Sequence, residues 1–474
     1  MGDALWSWTA SELAAAIASG RVSSVEAMES AIARMEAVNP AINAVVDALP
    51  EQAMEAARAA DAALRRTGPL GPLHGVPVTV KINVDYGGRA TTNGVVAYKD
   101  LIAPEDGSVV RNLKAAGAVI IGRTNTPCYS MRGFTSNDLH GHTKNPHDPA
   151  LTPGGSSGGA GAATAAGIGA MGHGNDIGGS VRYPAYCNAL YGLRPTAGVV
   201  PAYNPSQLSE RFIVSQMASV QGPHARSMED VRLTMRALQA PDPRDIWQIP
   251  SRGMFAPVSH RPCRVALHAG TDEAQVDPEV SAAIRLAGAM LADAGYEVVE
   301  ADPPSLWEAM EFWLLALGNE MRAGLGPLME QNGDWKMKRA YRLLTDGVPV
   351  IEDRDGFLRA YARRSTLLRK WQLFFEDFPL LLTAVTWAKP MPDDYDVSDG
   401  VDQDWFLRVT APMSGTPTLG LPGLSVPVGA KPGLPMGVQL VAARHGDRRL
   451  MEAGAVLERA IGPIRPVDPA GAAA

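Results

Sequence analysis

Two short loops rich in glycine and serine restrict most strongly what this chain can fold into. The first spans residues 154–159 and reads Gly-Gly-Ser-Ser-Gly-Gly, and the second spans residues 176–180 and reads Asp-Ile-Gly-Gly-Ser. Such runs taken alone are most often flexible linkers. Here the first loop leads directly into residues 160–166, a small-residue stretch typical of a tightly packed helix. This context and the second Gly-Gly-Ser favour ordered, functional loops.

A lysine within an apolar strand pattern supplies the chemistry that the serines need. A serine hydroxyl requires a partner that takes its proton, usually a histidine held by a carboxylate. His173 precedes Ser180, but no acid stands where it would clearly orient that ring. Lone lysines are usually solvated, yet Lys81 interrupts a Val-Pro-Val-Thr-Val pattern and is predicted to be buried. Burial would lower its pKa and make a free amine available.

The two loops and the lysine, in this order and spacing, resemble the amidase signature family. The core of the resemblance is residues 152–159 followed by residues 176–184, and further matching stretches lie upstream and downstream: 71–81, 124–127, 192–196 and 434–440. It implies an α/β fold, a single large domain with a mostly parallel mixed β-sheet covered by helices on both faces. Its parts would be an N-terminal helical cover (1–66), a catalytic signature core (67–240), a substrate-shaping portion (241–400) and a return to the sheet (401–474).

The resemblance also implies roles for individual residues. Ser180 would be the nucleophile, Lys81 the base and Ser156 the proton relay, and Ser156 would follow a cis peptide bond. The backbone N–H groups of a four-residue run fit the need for an oxyanion hole: Ile177, Gly178, Gly179 and Ser180.

Further residues are expected around this trio. The supporting residues are Ser157, Asp176 and Arg182. Asp176 and Arg182 bracket the nucleophile and could form a plain ion pair, and we favour a role in ordering the loop over a role in proton transfer. The predicted substrate contacts are Cys128, Tyr129 and Trp387. The pocket itself would form where residues 125–135, 203–215, 305–345 and 387–412 converge.

Three positions depart from the family pattern, but none of them replaces a member of the trio. Ile82 follows the lysine where an aspartate is common, which removes a charge that could hold the lysine protonated. Cys128 stands in place of a glutamate, and Asn175 in place of a hydroxyl residue. The last two lie next to the site and are expected to influence substrate choice.

Two competing motifs are set aside. Residues 167–172 match the G-x-G-x-x-G spacing of dinucleotide sites, but they follow an alanine-rich helix rather than a strand, so a packed turn is predicted. A hydrolase elbow G-x-S-x-G would need glycine two residues after Ser180, where Arg182 stands.

Composition excludes several classes of protein. The chain of 474 residues has a formal net charge of -7 and no large basic cluster, which argues against nucleic-acid binding. No uncharged apolar stretch is long enough to span a bilayer. The N-terminal segment lacks the pattern of a signal peptide, so we expect a cytoplasmic protein. The three cysteines show no metal-ligand spacing, and we predict no metal and no cofactor.

Local patterns predict the order of elements. Residues 11–66 read as two or three amphipathic helices broken at Gly20 and at Asn39-Pro40. Strands are predicted at residues 118–122 and 264–267, and long amphipathic helices over residues 305–378, whose aromatic side chains we expect mostly in the core.

The function that the family resemblance implies is hydrolysis of a carbon–nitrogen bond in an amide, an anilide or a carbamate, and we expect a small uncharged substrate. It would pass through an acyl-enzyme on Ser180, and esters are an expected side activity. Two alternatives stay open: the amidase component of a tRNA-dependent amidotransferase, and a non-catalytic binding protein on the same fold. A homodimer also stays open.

Overall fold

The computed structural model describes residues 4–251, 253–257 and 259–470. The N-terminal segment from which we predict the absence of a signal peptide is therefore described from Ala4 onward. Over these residues the chain forms one sheet of eleven strands and a separate two-stranded ribbon. The strands are β1 (Val45–Ala48), β2 (Pro77–Lys81), β3 (Val119–Thr124), β4 (Ser136–Asn137), β5 (Gly141–His142), β6 (Met171–Asp176), β7 (Tyr191–Arg194), β8 (Val220–Ala225), β9 (Arg264–Leu267), β10 (Glu297–Glu300), β11 (Leu380–Thr383), β12 (Gly423–Val426) and β13 (Val438–Val441).

Helices flank this sheet and connect most of its strands. They are α1 (Ala10–Ala18), α2 (Ser24–Ile42), α3 (Pro50–Thr67), α4 (Ser108–Ala115), α5 (Gly158–Ala165), α6 (Arg182–Cys187), α7 (Ile213–Ala218), α8 (Met228–Leu238), α9 (Pro278–Asp293), α10 (Leu306–Ala323), α11 (Leu325–Asn332), α12 (Trp335–Asp346), α13 (Arg354–Asp377), α14 (Gln403–Ser414) and α15 (Asp447–Ile461). The predicted strands at residues 118–122 and 264–267 are β3 and β9, and the predicted long helices are α10 to α13.

The sheet is mixed, as predicted, but the balance of strand directions differs from the prediction. Its order is β1-β3-β2-β6-β8-β7-β12-β13-β11-β9-β10. Parallel pairing is confined to β3-β2-β6 and β11-β9-β10, and the other six neighbouring pairs in the described chain are antiparallel. The expectation of a mostly parallel sheet assumed that a helix crosses over between neighbouring strands. Strands β12 and β13 are joined by a short helix-free segment, which suits antiparallel pairing.

The N-terminal cover departs from the prediction at one proline. The break at Gly20 is present, and Gly20 has a φ of 71°. Helix α2, however, runs through Pro40 to Ile42. After it, residues 45–48 form an edge strand, β1, which pairs with β3 and was not predicted. The short segment between two helices carries no clear period-2 pattern, so only the exposed edge of β3 selects a strand there.

The centre of the sheet determines where the site lies. Strands β2 and β6 are parallel neighbours, and every residue of β2 is buried. Lys81 is the last residue of β2, and Asp176 is the last residue of β6. Because the carboxyl ends of parallel strands open at the same edge, Lys81 lies beside the loop that carries Ser180.

Within the described residues, no helix has the length and apolar character needed to cross a membrane.

Candidate active site

The Lys81 amine is buried and contacts one of the two loop serines. Its Nζ atom lies 2.7 Å from Ser156 Oγ and 2.8 Å from Asn175 Oδ1. The flanking side chains of Val80 and Ile82 are buried as well. Burial lowers the pKa of Lys81 well below its ordinary value, and the negative charge of Asp176 opposes that shift only in part. The predicted burial of this lysine is therefore confirmed, together with its contact to Ser156.

Ser156 follows a cis peptide bond from Gly155, as the family resemblance implies. Gly155 packs against the backbone of the segment opposite, and a Cβ atom built on it would lie 2.5 Å from Gly133 C and Phe134 N. Only glycine fits this space. The next residue, Ser157, immediately precedes helix α5, and its hydroxyl contacts the backbone of Asn175. The first loop is thus packed directly against the end of β6.

Asp176 organises the loop that carries Ser180. Its carboxylate accepts hydrogen bonds from the backbone N–H groups of Gly179, at 2.9 Å, and Val181, at 3.2 Å. It also pairs with Arg182 and Arg194, all three side chains being fully buried. Burial alone would raise the pKa of this carboxyl, but the two guanidinium groups hold it well below its usual range. The contacts fit the predicted supporting role of Asp176 and Arg182.

The four predicted oxyanion donors are not equivalent. The N–H groups of Gly178 and Ser180 have no hydrogen-bond acceptor among the described residues, and both residues line the cavity described below. Ile177 lines that cavity too. Gly179 does not line it, and its N–H is already donated to Asp176. The prediction for Gly179 is therefore not supported, since sequence spacing cannot show which peptide units turn toward the carboxylate.

A cavity of about 110 Å³ opens beside Ser180. Its lining comes from the two glycine-rich loops, from three of the four segments expected to converge there, and from Met413 and Ser414 just beyond the last of these segments. Residues 203–215 contribute nothing to it. Most of the lining side chains are apolar or small. Its lining residues are Ser130, Met131, Arg132, Gly133, Gly155, Ile177, Gly178, Ser180, Met310, Trp313, Ala340, Leu343, Leu344, Asp396, Gln403, Phe406, Leu407, Thr410, Met413 and Ser414.

The two ionised side chains of the cavity neutralise each other. Arg132 makes a two-pronged contact with Asp396, with Nη2–Oδ1 at 2.6 Å and Nε–Oδ2 at 2.9 Å. Arg132 Nη2 also lies 2.8 Å from Asp394 Oδ1. All cavity charges thus reside in one internally paired group, and the wall as a whole offers no unpaired charge to a ligand.

The predicted substrate contacts lie outside this cavity. Cys128 is buried, which raises the pKa of its thiol to about 12, and the Tyr129 hydroxyl donates to the backbone carbonyl of Leu328. Their chain neighbours Ser130 and Met131 reach the cavity instead. Trp387 lies in a loop, but it is 1% exposed and packs edge-on against His268. Its local sequence gave no sign of that partner.

A chain of hydrogen-bonded amide side chains leads from Lys81 to the cavity. The sequence did not predict this chain. Asn175 accepts from Lys81 through Oδ1 and donates through Nδ2 to Asn83 Oδ1, at 2.9 Å. Asn83 in turn donates to Ser130 Oγ, at 3.0 Å. The sequence does draw attention to Asn175, because this residue departs from the family pattern, but nothing in the sequence indicates a role for Asn83.

His173 and a group of potential metal ligands take no part in this arrangement. The His173 ring is buried, contacts Gln221 Oε1 at 3.0 Å, and has its pKa lowered by burial to about 3. Among the described residues, one group could supply three metal ligands: His142, Asp393 and Asp394. Its carboxylates already pair with Lys144, at 2.9 Å, and with Arg132.

Comparison with known proteins places the chain among enzymes that hydrolyse amides. The chain belongs to the amidase signature family: the Amidase family model matches residues 26–451. It is 45% identical over 461 residues to indoleacetamide hydrolase of Bradyrhizobium diazoefficiens, covering 97% of this chain and 88% of that protein. It is 32% identical to one component of the glutamyl-tRNA(Gln) amidotransferase of Acidothermus cellulolyticus, covering 95% and 94%. The solved structure of 6-aminohexanoate cyclic dimer hydrolase superposes with a TM-score of 0.82 at 30% identity, covering 98% and 99%.

Proposed function

We propose that this enzyme hydrolyses a small uncharged amide through an acyl-enzyme on Ser180, with Ser156 as proton relay and Lys81 as base. The observation that carries the proposal is the buried Lys81 amine, 2.7 Å from Ser156 Oγ, beside a cavity lined by Ser180 and by free backbone N–H groups. The class of reaction follows from the family, and the contact between Lys81 and Ser156 supports the assignment of roles.

The hydrogen bonds around Lys81 suit a neutral base. A neutral amine has two protons and one lone pair. The Asn175 Oδ1 atom can only accept, so it takes one of the protons. The lone pair can then face Ser156 Oγ. During attack, Lys81 takes the Ser156 proton while Ser156 takes the Ser180 proton, and Ser180 Oγ bonds to the carbonyl carbon.

The intermediate and its breakdown use the same groups in reverse. The negative oxygen of the tetrahedral intermediate would accept from the free N–H groups of Gly178 and Ser180. The leaving amine receives a proton from Ser156, which Lys81 replaces, as the carbon–nitrogen bond breaks. Water then attacks the acyl-enzyme by the same proton path and releases the acid. No additional proton carrier is needed in this scheme.

The cavity favours a compact, apolar acyl group. A cavity of about 150 Å³ is known to admit benzene, and the one described here, about 110 Å³, is of the same order. Its wall includes Trp313, Phe406 and Leu407, and its charges pair internally. Together with the 45% identity to an indoleacetamide hydrolase, these features support a primary amide of an arylacetic acid as the substrate class.

The first experiment labels the nucleophile. A sulfonyl fluoride, phenylmethylsulfonyl fluoride, would form a serine sulfonate ester with loss of fluoride, and peptide mapping should locate a single adduct on Ser180. Ser180→Ala should remain unlabelled and lose at least about 10⁴-fold in kcat. Ser130→Ala is the matched control, because Ser130 faces the same cavity, and it should still be labelled at Ser180. Normal turnover by Ser180→Ala would refute the assignment.

A substrate panel tests the acyl and amine portions separately. Arylacetamides, their anilides and aryl carbamates of similar size would be compared by kcat/KM with the purified chain alone. We expect the primary amide to be the best substrate. A carbamate hydrolysed faster would point instead to a carbamoyl-enzyme, because the same attack on a urethane leaves that intermediate.

One other candidate function has a specific observation in its favour, the 32% identity to an amidotransferase component. Such a component would hand ammonia to a partner protein bound to tRNA. Turnover of simple amides by the isolated chain, with no effect of glutamine and charged tRNA, would exclude it. The non-catalytic alternative is disfavoured because Lys81, Ser156 and Ser180 are all present. A homodimer and a cytoplasmic location stay predictions, the first of which light scattering would test.

A further inference from the structure

The carbonyl groups on either side of Gly178 are held by two side chains from the helices that cover the cavity. Trp313 of α10 donates its indole Nε1–H to the carbonyl oxygen of Ile177, at 2.8 Å. Ser414 of α14 donates its hydroxyl to the carbonyl oxygen of Gly178, at 2.9 Å. Both contacts are formed across large sequence separations, so they depend on how these helices pack over the loop.

These contacts determine the direction of the N–H groups. In a trans peptide the C=O and N–H of one unit point in opposite directions. Holding the Ile177 carbonyl on Trp313 therefore turns the N–H of Gly178 away from the indole nitrogen, and this N–H has no acceptor in the described chain. Holding the Gly178 carbonyl on Ser414 turns the next N–H, that of Gly179, onto Asp176.

The packing at Gly178 is equally specific. A Cβ atom built on this residue would lie 2.7 Å from Cζ2 of Trp313. The indole ring thus lies directly against the loop backbone, and it also forms part of the cavity wall. One side chain therefore contacts both the space for the acyl group and the peptide unit that presents the Gly178 N–H.

We propose that Trp313 and Ser414 are positioning residues for the reaction, which together aim the Gly178 N–H at the developing oxyanion. The inference rests on the proposed function and adds to it a link between acyl recognition and catalysis. An acyl group that packs on the Trp313 ring presses on the residue that orients the oxyanion donor. Acyl specificity should then appear in kcat and not only in KM.

The test separates ground-state binding from oxyanion stabilisation. Trp313→Phe keeps an aromatic wall but removes the N–H donor. Because removing an oxyanion donor outright costs about 10²–10³ in kcat, misdirecting one should cost about 10-fold or more, with KM changed by less than about 3-fold. The affinity for an arylmethyl trifluoromethyl ketone, which forms an oxyanion adduct on Ser180, should fall by the same factor as kcat. The affinity for the arylacetic acid product should not.

Two further variants serve as controls. Trp307→Phe alters a tryptophan on the same helix that stacks on Arg408 and does not line the cavity, and it should leave both affinities unchanged. Ser414→Ala should weaken the ketone selectively, and Ser414→Thr, which keeps a hydroxyl, should restore it. These variants test the proposal independently if Trp313→Phe does not fold.

The outcomes are distinguishable. Equal losses of ketone and product affinity in Trp313→Phe, or an unchanged kcat, would overturn the positioning role while the Ser180 adduct of the wild-type enzyme persists. If the wild-type enzyme itself forms no ketone adduct on Ser180, the proposed function fails, and the positioning role fails with it.

Discussion

Replacing Lys81 by methionine tests whether the buried amine is neutral in the folded enzyme. In an unfolded chain a lysine has a pKa of about 10.4, whereas burial lowers the pKa of Lys81 well below that in the folded state. Between the two values the unfolded chain binds one proton more. Because stability rises with pH wherever the unfolded state binds more protons, Lys81 alone makes the free energy of unfolding increase by about 1.4 kcal/mol per pH unit in this window.

The expected result is a slope and not a single value. Urea unfolding of the wild-type and Lys81→Met proteins at pH 7, 8 and 9 gives the difference in free energy of unfolding at each pH. That difference, wild type minus variant, should become more positive by about 1.4 kcal/mol per pH unit. The variant also loses the hydrogen bonds to Ser156 and Asn175, but this cost is independent of pH and does not affect the slope.

Lys99→Met is the matched control for this experiment. Lys99 is exposed and takes part in no ion pair within the described parts of the chain. Its removal should leave the difference from wild type constant over the same pH range. A constant difference for Lys81→Met as well would mean that the buried amine keeps its proton on folding, and the reasoning that makes it the base would be refuted.

Two further substitutions address the surroundings of the base and the fit of the first loop. Asn175→Asp places a carboxylate at the position whose Oδ1 lies 2.8 Å from the Lys81 amine. Because an opposite charge this close raises the pKa of the lysine by about 1–3 units, the acid limb of the kcat/KM profile should move to higher pH by that amount. An unmoved profile would contradict the role of Lys81. Gly155→Ala introduces a Cβ atom 2.5 Å from the backbone at Gly133 and Phe134. Overpacking of this kind lowers the free energy of unfolding by about 1–3 kcal/mol, which urea unfolding would detect. Unchanged stability would show that the loop can move aside.

The trio could be predicted from sequence because its members occupy motifs whose spacing fixes their relation. Lys81 ends a strand, Ser156 stands in a glycine-rich loop, and Ser180 follows a second strand. Once β2 and β6 are neighbours, these positions meet at one edge of the sheet. The direction of the remaining strand pairs could not be predicted in the same way, because pairing depends on which edges are free after the helices pack.

The two tryptophans show why the cavity wall was harder to predict than the trio. The sequence predicts Trp387 as a substrate contact, but its ring is buried against His268. Trp313 lies on an amphipathic helix, where an aromatic residue is usually part of the core. It is buried and nevertheless reaches the cavity and the loop carbonyl of Ile177. Local sequence predicts the type of element on which a tryptophan lies, whereas the contacts of its ring depend on packing between segments far apart in the chain.

The cavity is built from two parts of the chain that can change independently. The proton-handling groups stand at the edge of β2 and β6, while most of the apolar wall comes from α10, α12 and α14. Substitutions such as those at Leu344 or Phe406 would alter which acyl group fits without moving the base or the serines. A lineage with this arrangement can acquire new substrates by drift in its covering helices and keep one inherited chemistry, provided that Trp313 and Ser414 continue to hold the loop.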